Sequence, residues 1–194
     1  KRDKMKKIVL AILSIVLLIS CDEKKQKTGQ FQDENYDKIE AAKKIEELEA
    51  VLISSENKSL NLGTAQEVVK AYKEYAKQLP LDPMSAEYLF KAADVEMGLQ
   101  NYRKAELIYN RVYDNYHTYK KRVMCLYVTA FINDNHLNQK GKAKEIYEKL
   151  IKKHPNDKLA QDAIASIDLL TLSDDEIIEF LKSKNKNQAA DTIN

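Results

Sequence analysis

Tyr102-Arg103-Lys104-Ala105-Glu106-Leu107-Ile108-Tyr109 and Lys142-Ala143-Lys144-Glu145-Ile146-Tyr147 are two copies of one pattern. Lys104 and Lys142, Ala105 and Ala143, Ile108 and Ile146, and Tyr109 and Tyr147 recur at a spacing of 38. The second copy runs on through Leu150 and Ile151 to Pro155. In each copy a small residue is followed four positions later by a tyrosine, which puts both on one helix face. The alanine lets two helices cross closely, and the ring fills the space beside the crossing. A helical unit recurring at this period predicts an all-α solenoid of stacked hairpins, each burying its apolar face on its neighbours. The function such an architecture implies is holding another molecule.

Composition agrees. Of 194 residues, 44% are hydrophobic and 32% charged, which suits one helix-rich domain with extensions. Four Gly and three Pro are too few to punctuate a many-stranded β-protein. Outward from the repeated stretch, apolar spacings of three and four predict helices over Tyr36–Ser54, Thr64 to just before Pro80, Ala86–Met97, Tyr102–Tyr116, Tyr119–Asn133, Lys140–Lys153 and Lys158–Leu170. A short helix to Lys182 and a polar, frayed tail follow. Thr64 with Glu67, and Ser173 with Glu176, read as capping boxes. The expectation is a solenoid of about eight helices with no strand.

The turns then supply a resemblance. Pro83 and Pro155 close helical units, with His117 in the place of a proline between them; the intervals are 34 and 38, so about four extra residues fall in the Asn133–Gly141 loop. With Tyr102, Ala105 and Tyr109 in one unit and Ala143 and Tyr147 in the next, residues 64–170 resemble the tetratricopeptide repeat, a helical hairpin. Departures are Leu89 where that family often has Trp, Ala93 for glycine and Glu96 for tyrosine. The resemblance implies that the first helix of each hairpin lines a concave groove for extended peptides or partner helices. Projected onto this chain, the groove residues are Glu87, Phe90, Asp94 and Met97, then Lys121, Met124 and Val128, then Asp162 and Ser166. Residues 36–56 are expected to form an amphipathic helix that caps the 57–170 repeat domain or pairs with a partner, and 171–194 a capping helix and disordered tail.

The amino terminus reads as an address. Met5 is the expected start, and residues 1–20 a signal peptide: Lys6-Lys7, then an apolar run from Ile8 to Ile19, too short to span a bilayer comfortably. Leu18-Ile19-Ser20-Cys21 resembles the lipobox of bacterial lipoproteins. That resemblance implies cleavage before Cys21, a diacylglycerol on its sulfur, and durable attachment through several acyl chains. Residues 21–35 would be the lipidated cysteine and a flexible tether. The whole chain is similar to small repeat-built outer-membrane lipoproteins of diderm bacteria and, more distantly, to the lipoprotein subunit of the β-barrel assembly machinery. The expected location is the cell envelope, with an envelope protein or peptide as partner and the outer membrane as the anchoring surface. An alternative ligand is an unfolded peptide or a cell-wall fragment. Acidic Asp22-Glu23 fits either inner-membrane retention or surface export.

Little in the sequence points to catalysis. Removing residues 1–20 leaves 27 basic and 29 acidic residues, a net −2, so there is no strong electrostatic case for nucleic acid, and none is expected as a partner. His117, His136 and His154 lack a second His or Cys at helical spacing, so no metal site is expected. Cys125 sits in an apolar helical run and reads as a buried inert thiol. No glycine-rich phosphate loop occurs, and no cofactor is expected. Lys120-Lys121-Arg122 is a basic run, either solvated or touching an acidic partner or headgroups. The 11 tyrosines, Tyr109, Tyr113 and Tyr116 at helical spacing among them, serve either interhelix packing or an aromatic binding surface.

Overall fold

The computed structural model describes residues 35–54 and 62–170, together with Leu172, Glu176, Ile178, Glu179 and Lys182. The expectations for the address, Cys21, the tether and most of 171–194 lie outside the described residues. Within them stand seven helices and no strand: α1 Lys38–Ser54, α2 Leu62–Gln78, α3 Pro83–Gly98, α4 Tyr102–Asn115, α5 Arg122–Asn135, α6 Lys140–Lys153 and α7 Lys158–Leu170. The fold is an all-α solenoid of helical hairpins.

Short polar signals start the helices. Asp37 accepts from the amides of Ile39 and Glu40 at 2.7 and 3.1 Å at the head of α1. Asp82 accepts from Met84 N at 2.8 Å, and Pro83 takes the first position of α3, where its missing N–H costs nothing. Asp157 does the same for α7, accepting from Leu159 N at 2.9 Å. Two connections turn through left-handed residues, Gln100 at φ 59° and Asn138 at φ 50°. Behind the first, Asn101 N reaches back to Glu96 O at 2.8 Å, closing α3 in a Schellman-type end. Some predicted boundaries move. Helix α2 begins at Leu62, two residues ahead of Thr64, and α5 begins at Arg122 rather than Tyr119.

Every helix packs on its neighbours in sequence, and α5 and α7 also touch directly, whereas no two even-numbered helices approach as closely. On the resemblance to tetratricopeptide hairpins, whose first helices line the groove, the odd helices are assigned to the inner, concave layer and the even helices to the outer one. Burial fixes the register between hairpins. Tyr88, Leu89, Ala92, Ala93 and Glu96 of α3 and Cys125, Leu126, Thr129, Ala130 and Asn133 of α5 are buried in the same order, 37 residues apart. Ala65, Val68, Val69, Tyr72, Tyr75 and Ala76 of α2 stand 37 before α4's Tyr102, Ala105, Glu106, Tyr109, Val112 and Tyr113. So α1–α2 is itself a hairpin of the same kind, with Val68 and Tyr72 as a third copy of the alanine–tyrosine pattern. Only one extra residue sits in the Asn133–Gly141 loop, where residues 136–139 replace 99–101; the longer connection is 116–121, against 154–157.

Candidate functional site: the concave face

The concave layer is organised by carboxylates that tyrosines hold from behind. Tyr72 of α2 donates to Glu49 of α1 at 2.6 Å, and Lys91 of α3 meets the same oxygen at 2.9 Å. One hairpin on, Tyr109 of α4 donates to Asp94 of α3. Between hairpins, Glu87 of α3 accepts from Tyr119 at 2.8 Å and Lys121 at 3.0 Å, and the Lys121 ammonium lies 4.4 Å from the Phe90 ring centroid. Burial and the adjacent carboxylates push the Tyr72, Tyr109 and Tyr119 hydroxyls well above the ordinary tyrosine range. Burial alone would raise Glu87, but the Lys121 and Tyr119 hydrogen bonds outweigh it and hold this carboxyl below its usual range. Asp94 is raised, because burial outweighs the single Tyr109 contact.

Between α1 and α3 the layer opens into a cleft of about 710 Å³, floored by Ile45 and Tyr88, lined by exposed Ile39 and Met84, and edged by Glu46, Glu49 and Lys91. Toward α7 the face turns apolar. Met124 and Phe131 are each 38% exposed and Ile164 is 42% exposed. Here Tyr127 shares a hydrogen bond of 3.3 Å with Ser166, whose hydroxyl also donates to Asp162 O at 2.9 Å.

The structure therefore sorts the residues expected in the groove. Glu87 and Lys121 pair, Asp94 is clasped by Tyr109, and Met124, Asp162 and Ser166 stand on exposed or half-exposed sites of the inner layer. Phe90 is only 8% exposed and edge-on to Tyr109, so it belongs to the core and is corrected out of the groove. Met97 and Val128 are half-buried against the same core. The physical reason is register. Counting from Pro83 to His117 sets α5 against α3 at 34, whereas burial sets it at 37, so the positions matching Glu87, Phe90 and Asp94 are Met124, Tyr127 and Phe131. The repeat markers Ala105, Tyr109, Ala143 and Tyr147 are buried, and Tyr102 stacks on His136 at 4.0 Å. Pro83 opens α3, while Pro155 lies three residues ahead of α7, so the two prolines are not equivalent. Sequence reasoning missed Glu49, Tyr72, Ile39, Met84, Phe131 and Ile164; the 37-residue echo of Val68 and Tyr72 in Ala105 and Tyr109 was the available signal.

A family model described as tetratricopeptide repeat matches residues 124–157, the α5–α6 hairpin with the turn into α7. Residues 124–157 are thus similar to a tetratricopeptide repeat. Repeats of this kind generally mediate protein–protein interaction and are generally non-catalytic. A comparison with curated proteins returned no match.

The remaining reactive groups are engaged in packing. Burial pushes the Cys125 thiol up to about 12, removing the thiolate that reactivity requires. Tyr113 and His154 Nε2 share a 3.0 Å hydrogen bond, and burial together with the Arg122 charge holds the imidazole below its ordinary range. The basic run is largely structural. Arg122 Nε donates to Tyr113 O at 2.7 Å, tying down the end of α4, and Lys121 belongs to Glu87. Among the described residues no three His, Cys, Asp or Glu converge as a metal site would require, and no helix is long and apolar enough to cross a membrane.

Proposed function

We propose that this chain is a non-catalytic scaffold of the bacterial cell envelope, held to the outer membrane by a lipid on Cys21, and that the concave face of its repeats docks an envelope protein. The observation that carries the docking is the α1–α3 cleft. Exposed Ile39 and Met84 line it, and Glu49 on its rim is already held in place by Tyr72 and Lys91. A surface ordered before the partner arrives gives up little further freedom on binding. The lipobox resemblance of Leu18-Ile19-Ser20-Cys21 supports the anchor.

The test places a photocrosslinking residue at Met84 and at Met124 in living cells, with exposed Glu145 on the outer layer as control. One discrete adduct from the two inner positions, absent from Glu145 and lost in Cys21→Ala, is the expected result. Equal adducts from Glu145, or none from either inner position, would refute the concave docking. Many unrelated adducts would replace the dedicated scaffold with a holder of unfolded peptides.

A further inference from the structure

On the outer layer a second cleft, of about 480 Å³, lies between α2 and α4. Lys70, Lys73 and Lys77 run down α2 at steps of three and four, and Lys104 and Arg111 down α4 at a step of seven. Each row is roughly 10 Å long at 1.5 Å per residue. Glu74 is engaged by Gln78 at 2.7 Å and Lys77 at 3.6 Å, and Glu96 is buried with Asn101 donating to it at 2.7 Å. Lys70, Lys73, Lys104 and Arg111 are exposed and, among the described residues, make no ion pair.

The next step of the same solenoid shows what is unusual here. Lys142 of α6 is the repeat equivalent of Lys104, and it is neutralised by buried Glu106 of α4. The residue 37 positions before Glu106 is Val69, which lines the α2–α4 cleft and offers no charge. One interhairpin step is thus closed by an ion pair, and its counterpart is left open with its cations unmatched. Like charges facing one cleft repel, and an incoming anion relieves that repulsion.

We propose that the α2–α4 cleft is a second docking site, which takes an acidic segment of a partner protein. Two parallel rows of cations suit carboxylates spread along a helix or strand better than one compact phosphate. Exposed Leu107, between Lys104 and Arg111 on the same face of α4, adds an apolar contact beside them.

The probe is fluorescein-labelled deca-glutamate, titrated with the full chain in mild detergent and read by anisotropy. Saturable binding is expected at low salt, weakened about tenfold or more when screening shortens the range of these charges. The combined K70E/K73E/K104E/R111E variant should abolish it with an unchanged circular dichroism spectrum, since all four side chains are exposed. Val69→Glu should also weaken it, by supplying Lys104 with the partner that Lys142 already has. Glu87→Gln, on the concave layer, should leave it intact, which separates this test from that of the concave site. No saturable binding, or equal binding by the quadruple variant, overturns the proposal. Binding to phosphatidylglycerol vesicles through the same four residues, without deca-glutamate binding, would assign the face to a membrane surface and overturn it equally.

Discussion

Glu106→Gln tests the ion pair that closes the α4–α6 step. Glu106 is 4% exposed, accepts from Asn133 Nδ2 at 2.9 Å and from Lys142 Nζ, and lies 3.6 Å from Arg103. It therefore ties α4 to both α5 and α6. Breaking a fully buried pair costs about 3–5 kcal/mol, but Lys142 and Arg103 are 46% and 58% exposed, so much of their attraction is screened. The glutamine keeps an acceptor for Asn133 and loses only the charge, which leaves a cost of about 2 kcal/mol. For a chain of this size that lowers Tm by about 4–8 °C at neutral pH. The pH dependence has a definite sign. Burial would raise the Glu106 carboxyl, but Lys142 and Asn133 outweigh it and hold the folded value below the usual range. A lowered folded value means the stabilisation is complete above the ordinary carboxylate pKa, about 4.3, and is lost as pH falls through the lowered value. Thermal unfolding followed by circular dichroism should show the gap between wild type and Glu106→Gln at pH 7 narrowing toward about pH 3. A fall of under about 1 °C at pH 7, or one equally large in acid, would refute the reasoning.

Tyr109→Phe removes the hydroxyl that holds Asp94 and should cost about 1 kcal/mol, with the Asp94 titration moving to higher pH by NMR. Ala143→Leu forces a larger side chain into a fully buried crossing and should cost about 1–3 kcal/mol by denaturant unfolding, whereas Glu145→Leu on the exposed face should change stability by about 0.5 kcal/mol at most. In a Cys21→Ala background, Cys125 should resist a thiol reagent at mildly alkaline pH until denaturant is added, because its thiol is buried and pushed up to about 12. Rapid labelling of the folded chain would contradict the burial.

Helix content and hairpin order were legible because they follow from local periodicity. Lys140–Lys153 and Lys158–Leu170 are found at the boundaries expected. The register between hairpins was not legible from turn residues. A proline marks only that a helix does not continue, and it can sit at the first position, as Pro83 does, or three residues early, as Pro155 does. Asp82 and Asp157, which the sequence reading did not single out as caps, each accept a backbone amide of the helix that follows. The side of the tyrosines was ambiguous for a physical reason. A ring buried at Tyr72 or Tyr109 still carries its hydroxyl through the layer to a carboxylate on the far face. Packing and the organisation of the surface are here two ends of one side chain.

That double use explains why the concave face is uneven along its length. Tyr72, Tyr109 and Tyr147 occupy the same place in three successive hairpins, and each ring is buried. In the first two, an acid on the preceding helix stands within reach of the hydroxyl, Glu49 and then Asp94. In the third, the position matching Asp94 is Phe131, and Tyr147 packs instead against Tyr127 with ring centroids 5.5 Å apart. A buried tyrosine that meets an acid fixes a charge at the surface; Tyr147, which meets Tyr127 and Ser166 instead, fixes none. The α1–α3 end is thus charged and hydrogen-bonded, and the α5–α7 end presents Met124, Phe131 and Ile164. A segment lying along this face meets different chemistry at its two ends, and reversing its direction would set its charged groups against exposed Met124, Phe131 and Ile164, which cannot replace their lost hydration. Polarity along the solenoid therefore follows from which group meets the repeated tyrosine in each hairpin.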